Sequence, residues 1–468
     1  MHNDGSGGLD HPGLVTDPDV CRGYAADASG LSHTPDAVAR PGSEDEIVAL
    51  VRHCAGHGLS ITAQGLRSST TGSSVPESGI ALSLEKLDRI LEIDPKRMCV
   101  RVQSGVVLGD LKRRLAEQGL FYPPDPTSEN ECTIGGTVAT NASGSRTYRY
   151  GATRGYVRAL RVVFAAGTVR DIRGCLANKN AAGYAGLQNP VDPFIGSEGT
   201  LGIVTETELA LLPKPVGFVA GFAYFPGWRQ AISFIQSADA ARREGRLAPR
   251  CLELFDEGAL ALVAGRNEGL RVPAAAGSAV FFEEETADAI ETLEHWIPII
   301  EGAGGYPDET RIASTEAEQS ELRRLRHAIP ATMNERGAQA VRAGGRKVST
   351  DFAVPLADLP EMMETAYRIA GEIFGGEVIA YGHAGNGHPH FNLLAPDPEA
   401  LAKAQVAARA MAERALALGG TLSAEHGIGK LKAPLFRDLY PEWVQRGMRA
   451  LKTSFDPMGL FAPGNLFD

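Results

Sequence analysis

The sequence predicts an α+β protein built from two main domains, and three observations carry that expectation. At 468 residues, the chain has room for two or three domains of roughly 100–200 residues each. Stretches with β-type alternation and stretches with helical periodicity follow one another along its length, with no internal repeat. Pro213 and Pro215 separate a glycine-rich first half from a second half in which strand-like runs alternate with long helical patterns. That second half reads as an antiparallel sheet with helices on one side. The expected division is an N-terminal segment 1–37, a first domain 38–215, a second domain 216–424, and a C-terminal segment 425–468 returning to the first domain.

The elements read in order as follows. Residues 1–38 are polar and rich in Gly, Asp and Pro, and become ordered near Tyr24. Ser43 and Glu46 have capping-box spacing, and Ile47, Leu50, Val51 and Cys54 form the apolar stripe of a helix ending near Gly56 and Gly58. Strands are expected at 59–63, 79–83 and 98–103, and a second helix over 108–118. Turn chemistry dominates 123–144, and 157–173 alternates like paired strands. Beyond Pro215, strands are expected at 216–225, 277–283, 350–354, 377–381 and 390–394. Helices are expected at 227–243, 284–302, 315–340, 357–374 and 398–418, then one in the tail before a turn-rich 456–465.

Composition excludes several classes of function. Apolar residues make up 43% of the chain, enough for true cores. Acidic residues outnumber basic ones 57 to 46, a net charge of −11, which argues against nucleic acid or an anionic membrane as partner. The longest near-apolar stretch, 216–228, is too short for a bilayer, which needs ~18 or more residues. The start of the chain lacks the basic and apolar regions of a signal peptide. The six cysteines form no C-x-x-C pair, which excludes an iron–sulfur run and suits reduced thiols in a cytoplasmic protein.

Three loops of Gly, Ser and Thr lie in the first domain, at 65–76, 133–144 and 196–203. Such loops offer backbone N–H groups without Cβ obstruction and can wrap a pyrophosphate. Any one of them alone reads as an ordinary turn. No G-x-G-x-x-G follows a strand and no G-x-x-x-x-G-K-[ST] occurs, so a nicotinamide Rossmann site and a P-loop are not expected.

Linked motifs from about residue 38 to the C-terminus resemble the FAD-linked oxidases of the vanillyl-alcohol-oxidase/para-cresol-methylhydroxylase superfamily. They are Arg40–Pro41, the 65–76 loop, Pro124–Asp125–Pro126, Thr133–Ile134–Gly135–Gly136, Asn141–Ala142–Ser143–Gly144, the run from Gly196 to Ile203, the run from Gly382 to His390, Glu425–His426–Gly427–Ile428–Gly429, and Asp456–Pro457 with Pro463–Gly464. The resemblance is nearest to the D-lactate/D-2-hydroxyglutarate/glycolate dehydrogenase branch. It implies a two-part FAD-binding domain plus an α+β substrate (cap) domain. FAD would lie against Gly65, Arg67, Ser68, Ser69, Thr70, Asp125, Thr133, Gly135, Gly136, Asn141, Gly144, Glu198, Gly202, Ile203 and Asn465. No histidine occupies the 65–76 loop or 133–157, so non-covalent FAD is expected.

Near the C-terminus, His383, His388, His390 and Asn392 follow an apolar run, and the last three alternate along one strand face. Glu425–His426 follow a helix, among small residues. Two imidazoles and a carboxylate make a common divalent-metal site, though any one of these histidines could simply bond locally. The resemblance implies that His383, His390 and Glu425 bind the metal, with zinc favoured, and that His426 is the catalytic base. An imidazole's ordinary pKa of ~6.5 suits that work. The related pattern is H-x-G-D-G-N-x-H, so Asn386 replaces an acidic residue and His388 is an addition, expected as a pocket residue.

Arg326 best matches the family's substrate arginine, a role a fork-shaped guanidinium suits. Lys347 and Asn392 join His388 as expected substrate contacts, Lys347 toward a second carboxylate. The expected activity is oxidation of a small D-2-hydroxy acid to the 2-keto acid. The electron acceptor would be a quinone, a cytochrome or an electron-transfer flavoprotein. The expected setting is cytoplasmic, or peripheral at a membrane, with a homodimer one possibility. Alternatives are a glycolate-oxidase-type subunit, an oxygen-using flavin oxidase, a non-catalytic flavin-binding subunit and a metal-dependent hydrolase.

Overall fold

The computed structural model describes residues 7–177, 179–184, 187–264 and 272–467. It comprises two compact units. The first is Met1–Ser143 with Ala152–Lys214 and Glu425–Asp468; the second is Gly144–Gly151 with Pro215–Ala424. Among the described residues, no helix is long and apolar enough to cross a membrane.

In the first unit, strands Ala37–Ala39, Ile80–Ser83 and Ile61–Gln64 pair in parallel, with Leu14–Val15 antiparallel at the edge. Parallel strands need a crossover, and helix Glu44–His57 is the one from Ala37–Ala39 to Ile61–Gln64, which lie on either side of Ile80–Ser83. Its sequence encodes both ends: the Ser43 hydroxyl accepts from the Glu46 N–H at 3.3 Å, and Gly58 closes it at a left-handed φ of 67°. The Glu46 carboxylate reaches back to the Gly42 N–H (2.8 Å), one residue before the capping-box position. The stripe Ile47, Leu50, Val51 and Cys54 packs on Ala37, Ile61, Ile80 and Leu82. Each fully buried large apolar side chain in such a core contributes ~1.5–3 kcal/mol. The C-terminal segment returns to this sheet: the Ile61 N–H donates to Leu460 O and the Ala462 N–H to Ile61 O, both at 2.8 Å.

A second, five-stranded antiparallel sheet follows, ordered Ile90–Asp94, Cys99–Gln103, Ile203–Ala210, Val157–Val163 and Val169–Arg173. The reading of 123–144 as unbroken turns is corrected, because Ile134–Thr140 is a helix. Gly135 and Gly136 hid it, since glycine disfavours helix by about 1 kcal/mol relative to alanine. Packing explains Gly135: a Cβ there would lie 2.6 Å from the Ser104 Cβ.

The second unit is built on a seven-stranded sheet. Its order is Arg311–Ala313, Phe218–Phe225, Ser278–Glu285, Pro249–Asp256, Val378–His383, His388–Ala395, Arg346–Ser349, with every neighbouring pair antiparallel. One face packs Leu252, Leu254, Phe282, Phe391 and Leu393 under helices Trp228–Arg243, Ala289–Gly302, Leu359–Ile369 and Pro398–Ala417. The other packs Cys251, Phe255, Phe281, Ile379 and Tyr381 under Glu257–Ala264 and Glu316–Val341. Helices therefore cover both faces, where helices on one side were expected. The strand expected at 350–354 is displaced to Arg346–Ser349, and Pro249–Asp256 adds an unforeseen central strand.

Asp256 closes that strand. Its carboxylate accepts from the N–H groups of Ala259 (2.9 Å) and Ala380 (2.7 Å) and from the Tyr367 hydroxyl (2.9 Å). Burial outweighs these donors and pushes the carboxyl up to about 6. The folded state then holds this proton more tightly than the unfolded chain, whose aspartate titrates near ~3.9. Stability from this group is therefore full below about pH 4 and declines by roughly 2–3 kcal/mol as pH rises to about 6. Urea unfolding at pH 4.5 and 7 will show that decline, and Asp256→Asn will flatten it; an equal slope in both proteins would refute the assignment.

Candidate active site

The glycine loops converge within the first unit. A Cβ on Gly65 would fall 2.4 Å from the Thr133 Oγ1, so absence of a side chain lets the 65–76 loop touch the start of the Ile134–Thr140 helix. Thr133 Oγ1 caps that helix by accepting from the Gly136 N–H at 3.2 Å. At its far end Asn141 takes φ 49° and its Oδ1 accepts from the Arg154 N–H at 2.9 Å. The N–H groups of Gly196 and Glu198 donate to Val138 O (2.9 Å) and Ala139 O (2.8 Å), docking the third loop. Gly202 approaches Val162 too closely for a Cβ, and Ile203 starts a buried strand.

Several expected cofactor residues hold these loops to one another. Glu198 is buried and spends both carboxylate oxygens on the N–H groups of Ile428 (2.6 Å) and Gly429 (2.9 Å). Burial raises its pKa, opposed by those backbone donors. Asn465 donates from Nδ2 to Ser73 O at 2.7 Å and accepts from Lys430 Nζ at 2.6 Å. The Ser69 hydroxyl accepts from Ser73 at 2.8 Å, Ser68 is half-buried and Thr70 is exposed. Arg67 sits at φ 59° with its guanidinium over the Tyr24 ring, and its Nη1 is buried without a hydrogen-bond partner among the described residues. A buried, unmatched cationic donor beside a glycine loop suits a phosphate oxygen. Asp125 is half-buried, while Gly144 belongs to the second unit, where its N–H donates to Thr147 Oγ1 at 3.0 Å.

Glu425 and His426 open the last segment of the first unit. Glu425 Oε2 accepts from the Ser143 hydroxyl at 3.3 Å, and the His426 Nε2 lies 3.5 Å from Glu425 Oε1. The Thr71 hydroxyl donates to His426 O at 3.2 Å, tying this residue to the 65–76 loop.

The second unit gathers the histidines. His383 pairs with His388, Tyr381 with His390 and Ile379 with Asn392 across two strands, so these side chains share one sheet face. Both outer imidazoles are oriented by a partner. His383 Nδ1 lies 2.7 Å from Glu253 Oε1, and His390 Nδ1 lies 3.0 Å from Thr350 O. With Nδ1 of each ring held by these acceptors, Nε2 is the nitrogen that would take a cation. Glu253 also accepts from Arg326, at 3.1 Å from Nε and 3.0 Å from Nη2. Burial alone would raise the Glu253 carboxyl, but the adjacent His383 and Arg326 hold it down at about 2. A second buried pair, Glu283 with Arg146 at 3.0 Å, extends this polar strip along the sheet.

Other expected substrate residues lie on or next to this face. Lys347 Nζ donates to Asn334 Oδ1 at 2.6 Å, and burial lowers its pKa to about 8. Gly337 makes room for it, since a Cβ there would sit 2.8 Å from the Lys347 Cβ. Asn392 is fully buried and donates to His390 O (3.1 Å) and Ile379 O (3.3 Å). His388 Nε2 lies 3.1 Å from Asp351 Oδ1. Sequence reasoning missed Glu253, Thr350 and Asp351. For Glu253 the available signal was charge inside an apolar run: Arg250, Glu253 and Asp256 interrupt an otherwise apolar strand.

Comparison with known proteins fixes the class to which this arrangement belongs. Residues 35–173 match the FAD binding domain family, and residues 215–466 match the C-terminal domain of FAD linked oxidases. The chain belongs to the FAD-linked oxidase family and is an FAD-linked oxidoreductase, as the sequence motifs led one to expect. It is 33% identical to glycolate oxidase subunit GlcD of Bacillus subtilis, covering 95% of this chain and 92% of that one. It is 30% identical to D-lactate dehydrogenase of Anaerostipes hadrus (92% and 89%) and 28% identical to D-2-hydroxyglutarate dehydrogenase of Stutzerimonas stutzeri (98% and 97%). Among solved structures, p-cresol methylhydroxylase with substrate bound shares the fold at a TM-score of 0.74 and 16% identity, covering 99% of this chain and 96% of that one.

Proposed function

We propose that this protein is an FAD-dependent dehydrogenase that oxidises a D-2-hydroxy acid, D-lactate or a D-2-hydroxyglutarate-like diacid, to its 2-keto acid with the help of a divalent metal. The observation that carries this reading is the pair of oriented imidazoles, His383 on Glu253 and His390 on Thr350 O. A buried face that fixes the tautomers of two histidines suits cation binding. The names of the relatives at about 30% identity support the substrate class.

In this reading His383, His390 and Glu425 would hold the cation, zinc suiting such nitrogen and oxygen donors. A cation there would lower the pKa of a chelated α-hydroxyl. FAD, when bound, supplies the two-electron acceptor for the α-hydrogen. His426 takes the hydroxyl proton. Arg326, held by Glu253 through Nε and Nη2 and lying 3.0 Å from His327 Nε2 through Nη1, grips the substrate carboxylate, and Lys347 receives a second carboxylate. His388 and Asn392 line the pocket. Arg67 and the loops at 65–76, 133–144 and 196–203 hold the pyrophosphate non-covalently. A quinone, cytochrome or electron-transfer flavoprotein takes the electrons onward. The glycolate oxidase relative favours a second reading, a glycolate-oxidising subunit that works with partner chains.

An anaerobic bleaching screen separates the two. Flavin absorbance is followed while D-lactate, L-lactate, glycolate, D-malate and D-2-hydroxyglutarate are added separately, with and without chelator. Bleaching by a D-isomer that chelator suppresses is the expected result. Bleaching by glycolate alone supports the subunit reading, and yellow protein that none of these acids bleaches refutes both.

A further inference from the structure

The extra histidine brings a second set of metal donors into the second unit. His388 and His390 are two residues apart on one strand and share a face. Asp351 follows the neighbouring strand Arg346–Ser349. Its position is fixed by the main chain, because the Thr350 N–H donates to Phe391 O and the Phe391 N–H donates to Thr350 Oγ1, both at 3.0 Å. One ligand atom from each of Asp351, His388 and His390 lies within 4.8 Å of the others. All three residues are buried, at 4%, 4% and 8% exposure.

The orientation of each side chain is already set. His390 Nδ1 is engaged by Thr350 O, so Nε2 would be its ligand atom. Asp351 Oδ2 accepts from the Ser423 hydroxyl at 3.0 Å, while Oδ1 faces His388 Nε2 at 3.1 Å. Two donors on one cation at ~2.0–2.2 Å are separated by roughly 3–3.5 Å. Two imidazoles and one carboxylate are a donor set for a first-row divalent cation that leaves positions open.

We propose that Asp351, His388 and His390 form a second divalent-cation position, held by the second unit alone. It rests on the reading above only in sharing His390. A single Nε2 lone pair serves one cation at a time, so the two positions exclude each other. The chain then binds one cation, with two alternative partner sets for His390, and it keeps that cation after the first set is removed.

The test titrates FAD-loaded protein with Mn²⁺ and follows the electron paramagnetic resonance signal of the free ion, which flavin colour does not disturb. The double variant His383→Ala/Glu425→Gln is expected to bind one Mn²⁺ per chain. Adding His388→Asn or Asp351→Asn to it should weaken binding at least on the order of 10–100-fold. The flavin spectrum and melting temperature of each variant serve as folding controls. A double variant that binds no Mn²⁺, while the unaltered protein does, overturns the second position and leaves the His383–His390–Glu425 reading standing. Added His388→Asn and Asp351→Asn changes that lower the melting temperature but not the affinity would show a buried ion pair only. Absence of Mn²⁺ binding in the unaltered protein also overturns the proposal, whereas the bleaching screen judges the oxidation independently.

Discussion

Glu253→Gln will destabilise the protein by about 3–5 kcal/mol in urea unfolding, the range for removing one partner from a buried ion pair. The Glu253 side chain is 2% exposed and Arg326 13%, so water cannot replace the lost charge. Glutamine keeps the shape but offers one acceptor oxygen where two are in use. One carboxylate oxygen serves His383 and the other serves both Nε and Nη2 of Arg326. Whichever way the amide turns, its NH₂ faces either a guanidinium or an imidazole N–H. If the arginine loses its acceptor, an uncompensated cation remains inside the sheet. If the histidine loses it, its tautomer is no longer fixed, and on the proposed cation reading the affinity should fall about 10–100-fold. A loss below 1 kcal/mol with unchanged cation binding would show that Glu253 orients neither group.

Glu253 also shows where the sequence stops being legible. The helix Glu44–His57 is written into adjacent residues, because its cap, its apolar stripe and its closing glycine are all local. The strand Pro249–Asp256 is not, because both of its faces are buried and it lacks the alternation that marks a half-exposed strand. The histidines stood out because three of them share a short span. Glu253 lies 130 residues from His383, so only the sheet brings the two together. Thr350 acts on His390 through its carbonyl, a group every residue has and no motif can mark. The 123–144 segment misled for another reason. Its Gly135 serves close approach to Ser104, a tertiary demand that outweighs glycine's poor helix propensity. Glu198 and Asn465 were picked out by motif, and the structure spends their polar groups on joining loops.

His426→Ala will lower the rate of flavin bleaching by D-2-hydroxy acid about 10²–10⁴-fold, the range for removing a positioned general base. The protein should stay yellow. His426 contributes its backbone carbonyl to the 65–76 loop, through the Thr71 hydroxyl, and alanine preserves that bond. The side chain is 34% exposed, so little core packing is lost with it. His426→Asn provides the control that separates proton transfer from shape. It fills similar space and can still donate and accept hydrogen bonds, but its amide cannot take a proton from a hydroxyl at neutral pH. Both variants should therefore fail alike in the rate of reduction while substrate still binds, so the loss falls on kcat with KM little changed. Recovery of the rate in the asparagine variant would mean that the imidazole only shapes the pocket. Bleaching at full rate in the alanine variant would place the base elsewhere, with Lys347 the next candidate because burial already lowers its pKa to about 8.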